Sequence, residues 1–83
     1  MLTHMTPSLT QVVASGIRAE MARQGKTQQQ LASLAGMAQQ TLSRRIKIED
    51  PIPFDTDEIE RIASALGIPV SQLLTVPAPA GAA

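Results

Sequence analysis

A chain of 83 residues and 8.8 kDa has room for one small domain, because a chain this short buries too little surface to support two cores. It has no Cys, one His (His4) and one aromatic residue (Phe54), which leaves no disulfide frame, no thiolate or His-rich metal site, no Ser-His-Asp arrangement within a domain and no base-stacking platform for single strands. The zero net charge hides a split: residues 1–48 carry +5 and residues 49–83 carry −5, so one end can face a polyanion while the other points away.

The first five residues lack the basic region and apolar core of a secretory signal, and no apolar run approaches the roughly 20 residues of a membrane span. A cytoplasmic protein is expected, with residues 1–5 as a flexible N-terminus and His4 a solvated residue within it. No strand-like alternation follows, and the fold class is all-α. Thr6-Pro7 opens the first helix, Thr6 as cap and Pro7 at the first helical position, where no amide hydrogen is needed. Leu9, Val13, Ile17 and Met21 recur at spacing four with Val12 beside them, forming an apolar stripe that ends near Gly25. Gly16 interrupts this helix at a cost of about 1 kcal/mol relative to Ala, through either close packing or tolerance.

Thr27 and Gln30 form a capping box that starts a second helix, and Leu31, Ala32, Leu34 and Ala35 supply its buried side before Gly36 stops it. Met37 alone separates that glycine from a third helical pattern, with Leu42 and Ile46 four apart. This helix has Ala38 at the capping position, forgoing about 1 kcal/mol, and Met37 is placed to staple onto Leu42. Pro51 and Pro53 make residues 48–54 a loop. Asp55 and Glu58 then form a second capping box, Phe54 staples onto Ile59, and Ile59, Ile62, Ala63 and Leu66 line the buried face of a fourth helix ending at Gly67. Residues 71–74 give a last helical turn. Leu73, Leu74 and Val76 are either the closing edge of the core or a dimer seam. Residues 75–83, rich in Pro and Ala, are expected to be a disordered tail, leaving residues 6–74 as the domain.

The third helix, read as residues 39–47, displays Gln39, Gln40, Ser43, Arg44 and Lys47. Gln and Arg can each make two hydrogen bonds to a base edge, Gln to adenine and Arg to guanine, and a helix of this length fits the major groove. Gln28, at the start of the preceding helix, is placed for a phosphate contact, or is simply part of a well-capped polar start. Arg45 and Lys47 are either phosphate contacts or ordinary surface charge. The carboxylates at Asp55, Asp57, Glu58 and Glu60 serve capping and the helix dipole.

The run from Thr27 to Lys47 (TQQQLASLAGMAQQTLSRRIK), followed by Asp57 to Leu74 (DEIERIASALGIPVSQLL), resembles the Cro/repressor-type helix-turn-helix family, over roughly residues 9–74. The resemblance implies a compact five-helix, lambda-repressor-like DNA-binding domain acting in transcription control, as in phage repressors and bacterial regulators. It implies a phosphate-clamping role for Gln28 and exposed recognition positions at Gln39, Gln40, Thr41, Ser43 and Arg44. Ala32, Gly36, Met37, Leu42 and Ile46 match the positions that hold the two helices at their angle. Ala38 departs from the family's usual capping Ser, and the Arg44-Arg45-Ile46 order with its Pro-bearing loop is similar to forms in actinobacterial regulators and their phages. The expected protein is a non-enzymatic repressor or Cro-like switch without metal, cofactor or small-molecule ligand. Its partner is a double-stranded DNA operator, bound as a homodimer, since one helix reads only a few base pairs. The alternative is a protein-interaction module, antitoxin-like or an adaptor subunit, on the same scaffold.

Overall fold

A computed structural model describes residues 8–74; the expected flexible N-terminus and Pro/Ala tail lie outside the described residues, as do Thr6, Pro7 and Val76. The described residues form five helices and no strand: α1 (Leu9–Gln24), α2 (Gln28–Ala35), α3 (Gln39–Arg45), α4 (Thr56–Leu66) and α5 (Val70–Leu73). Helix α2 packs on both α3 and α4, and α5 closes the domain against α1 and α4.

Local chemistry sets most of the boundaries. Helix α1 is capped by Ser8, whose hydroxyl accepts from the Gln11 amide while the Gln11 side chain accepts from the Ser8 amide. The expected cap at Thr6 is therefore corrected to Ser8, because only there does a Gln stand three residues on to complete the reciprocal pair. Thr27 with Gln30 and Asp55 with Glu58 cap α2 and α4 in the same way, as their spacing predicts. Helix α3 starts at Ala38 without a side-chain cap.

The core gathers Val13, Ala14, Ile17, Met21, Leu31, Ala32, Ala35, Leu42, Ile46, Ile62, Ala63, Leu66 and Leu73. Two expected members are displaced: Leu34 is 60% exposed and Leu9 62% exposed. In α2, Leu31, Ala32 and Ala35 already complete the face turned to α3 and α4, and Leu34 falls outside it. In α1 the buried face runs instead through Val12, Val13, Ala14, Ile17, Glu20 and Met21. Phe54 and Ile59, the expected staple, are both partly buried against the core and line one small cleft with Leu9, Thr10 and Val13. Leu73 is a core residue, which resolves its alternatives, whereas Leu74 is exposed.

Glu20 is the polar member of the buried face. Its carboxylate accepts from Arg23 and from Gln24 Nε2 (2.8 Å) on α1, and from Gln72 Nε2 (3.2 Å) on α5. Gln24 Nε2 also reaches the Leu66 carbonyl at the end of α4 (2.8 Å), so one cluster joins α1, α4 and α5. The Arg23 and Gln24 bonds favour the ionised carboxylate and hold Glu20 below its ordinary value of 4.5, against the opposing effect of burial.

Two predictions follow from this packing. A Cβ added at Gly16 would meet Leu73 atoms at 3.6–3.7 Å, ordinary contact, so Gly16→Ala should stabilise the domain by about 0.5–1 kcal/mol in urea unfolding. A loss of stability would mean that α5 must approach α1 more closely than it does here. The Glu20 contribution is present above its unfolded value near 4.5 and is lost as pH falls through the lower folded value. Unfolding midpoints measured from pH 7 to pH 3 should therefore drop at the acid end for the parent and drop less for Glu20→Gln; identical profiles would exclude this role for Glu20.

Candidate nucleic-acid interface

Helices α2 and α3 are joined by a tight turn whose geometry depends on Gly36. Gly36 has φ 71°, and its amide and that of Met37 bond back to the Ser33 and Ala32 carbonyls (3.3 and 2.8 Å). A side chain in this left-handed conformation is strained, so the chain turns here at least cost with glycine. Arg61, on α4, donates to the Gly36 carbonyl at 3.3 Å and pairs with Asp57 at 2.9 Å, tying α4 to the turn. Met37 is partly buried against the core.

Helix α3 is anchored through Leu42 and Ile46, at 0% and 2% exposure. With these on the inner side, Gln39, Gln40 and Arg44 are exposed and line one shallow, open depression with the half-buried Ser43. Thr41 is half-buried. The Ser43 hydroxyl bonds the Gln28 side-chain oxygen, so the expected phosphate residue of α2 and the displayed side of α3 meet in one surface. Gln28 is itself exposed, and the Thr27 cap satisfies the Gln30 amide of the same turn.

Two of the candidate residues stand differently from expectation. Lys47 lies outside α3: the helix ends at Arg45 with Ile46 as its cap, so the expected 39–47 span is shortened by two residues. The physical reason is that Ile46 leaves helical geometry (φ −114°, ψ 10°) and the Ile52 amide takes the Arg44 carbonyl at 3.1 Å, turning the chain back. Lys47 stays exposed in the segment that follows. Arg45 is half-buried and directs Nε to Glu58 at 2.9 Å. Glu58 uses the same oxygen to accept from the Asp55 amide, so it caps α4 and braces α3 together. Arg44 and Lys47 form no ion pair among the described residues; Arg44 brings positive charge to this surface, and Lys47 lies beyond the end of α3, along the cleft against α1.

Sequence reasoning did not single out Arg18, Arg61 or the second role of Glu58. Their contacts with other elements span 13 to 29 residues of chain, from Arg45–Glu58 to Arg18–Lys47, and no local spacing carries that signal. The charges of Arg18 and Arg61 were visible, and the i, i+4 pair of Asp57 with Arg61 is local, but the carbonyls that the two arginines reach elsewhere in the fold were not.

The surface thus presents amide, hydroxyl and guanidinium groups on a short helix, with a second helix start beside it. These groups match the donor and acceptor edges of base pairs and the oxygens of phosphates. Comparison with known proteins agrees. Residues 17–79 match the family model of the Cro/C1-type helix-turn-helix DNA-binding domain. The crystal structure of a hypothetical transcription factor, NHTF, from Neisseria is similar with a TM-score of 0.78 and 28% identity, over 93% of this chain and 90% of that one. No curated protein matches the chain.

Proposed function

The chain belongs to the Cro/C1-type helix-turn-helix DNA-binding family, and from that premise we propose that it is a sequence-specific transcriptional regulator of the repressor or Cro-like kind. The observation that carries this reading is the joint surface of α2 and α3, where Gln39, Gln40, Ser43 and Arg44 line one open depression and Ser43 touches Gln28. Helix α3 enters the major groove with Gln39, Gln40 and Arg44 at base edges. Thr41 and Ser43, half-buried, sit at the margin of the reading surface. Gln28 holds a phosphate at the start of α2, and Lys47 holds another beyond the end of α3. Arg45 adds its charge to that side, but Glu58 already offsets it.

Seven helical residues span few base pairs, so useful affinity requires two copies on half-sites about one DNA turn apart. The operator is therefore a palindrome and the bound species a homodimer. The description of the Neisseria neighbour as a hypothetical transcription factor supports a role in transcription control. None of the helices in the described residues is long and apolar enough to cross a membrane, which fits a protein working on DNA in a bacterial or phage-infected cytoplasm.

Selection of bound duplexes from a random pool at fixed moderate salt should enrich a short palindrome with half-sites about 10 base pairs apart. No enriched sequence, together with salt-insensitive binding to a protein, would replace this reading with a protein-interaction module. On the selected duplex, Arg44→Ala and Gln40→Ala should each lose about 1–3 kcal/mol and relax the preference at one base pair. Lys47→Gln should weaken all duplexes alike and lower the slope of log affinity against log salt by about one unit, whereas Arg45→Gln should lower it by less. Equal slopes for the two variants would mean that Arg45 leaves Glu58 to bind phosphate.

A further inference from the structure

We propose that Arg18 is a positioning residue for DNA reading: from α1 it fixes the carboxyl end of the recognition helix, and with it Arg44 and Lys47, without itself touching DNA. The inference rests on the reading that α3 reads the groove. Arg18 Nη1 donates to the carbonyls of Ile46 (2.5 Å) and Lys47 (3.3 Å). The Ile46 carbonyl belongs to the cap of α3, where a helix end leaves carbonyls without an intrahelical partner, and the Lys47 carbonyl to the segment that follows; α3, capped by no side chain at its start, has little of its own to hold it straight. A planar guanidinium suits the task because its fixed donors can serve two acceptors at once.

The packing around Arg18 explains why a polar tie is needed there. Between α1 and the segment after α3 lies an open cleft of about 390 Å³, with Val12, Ala14 and Gly16 on one side and Lys47, Ile48 and Pro51 on the other. Ile48 is 75% exposed, so apolar contact does not press this segment onto α1. The Arg18 bonds cross that gap. On the other flank, Arg45 and Glu58 tie the same helix end to α4, and the Ile52 amide holds the returning loop, in which Asp50 adopts a left-handed φ of 50°. Arg44 and Lys47 stand on either side of Ile46, so a shift of the Arg18-bonded carbonyls moves both. Base contacts demand placement within about 0.5 Å, whereas contacts to any phosphate tolerate more.

The test compares parent, Arg18→Met and Arg18→Lys on the selected duplex and on a scrambled duplex, each across a salt series, with helix content checked by circular dichroism. For Arg18→Met we expect cognate affinity to fall at least tenfold more than scrambled affinity. The scrambled-duplex salt slope should stay within half a unit of the parent. A merely structural role lowers the folded fraction and weakens both duplexes in proportion, leaving their ratio unchanged, and that result overturns the proposal. Equal weakening with a slope lowered by about one unit also overturns it, since Arg18 would then be a direct phosphate contact. Should Arg18→Met not fold, Arg18→Lys decides: it keeps the charge and N–H donors but loses the planar fork and its reach, so a fall in the cognate-to-scrambled affinity ratio with an unchanged scrambled-duplex slope supports the proposal, and a parental ratio overturns it. If the parent itself prefers no duplex, the DNA reading fails instead, an outcome distinct from every one above.

Discussion

The shortness of α3 is the constraint on which the rest of the structure depends. A seven-residue helix is well below the length at which helices hold themselves in water, and this one lacks a side-chain cap at its start. Its conformation therefore has to come from neighbours. Leu42 and Ile46 supply the apolar part, each side chain contributing about 1.5–3 kcal/mol by burial. Gln28 on α2, Glu58 on α4 and Arg18 on α1 supply polar restraints from three directions. Almost every element of the domain thus has a hand in placing seven residues.

That arrangement also explains how the charges are used. Of the six cations in the first half of the chain, Arg18, Arg23 and Arg45 are engaged by partners within the domain, while Arg44 stands on the surface shared by α2 and α3 and Lys47 is exposed in the segment after α3. Lys26 bonds Gln24. A chain of zero net charge can still meet a polyanion because what matters at Debye-length distances is the face presented, not the sum. The acidic residues of α4 are likewise divided: Glu58 caps and braces, and Asp57 orients Arg61 toward the turn. On the proposed reading, so few cations face DNA that non-specific phosphate attraction is modest, and discrimination rests on how firmly Gln39, Gln40 and Arg44 are held.

A second polar cluster is built around Glu20. A carboxylate on the buried side of α1 is costly unless its oxygens find donors; Arg23 and Gln24 serve Oε2, and Gln72 serves Oε1. This cluster locks α5 and the end of α4 to α1, so that α1 offers Arg18 to the end of α3 from a fixed base.

Local rules determined much of this protein from the sequence alone. Helix number, the caps at Thr27 and Asp55, the stops at Gly25, Gly36 and Gly67, the missing cap at Ala38, and Gln39, Gln40 and Arg44 as a displayed set all follow from interactions within a few residues of chain. The tertiary structure decided what depends on partners distant in sequence. It ended α3 at Arg45 through the returning Ile52 amide, left Leu34 and Leu9 in solvent, turned Arg45 toward Glu58 and sent Arg18 to the Ile46 carbonyl. Periodicity tells which side of a helix is apolar, but not how much of that side its neighbours cover, and a charge shows its sign in the sequence but not its partner. Those are properties of elements packed together, and only the folded chain contains them.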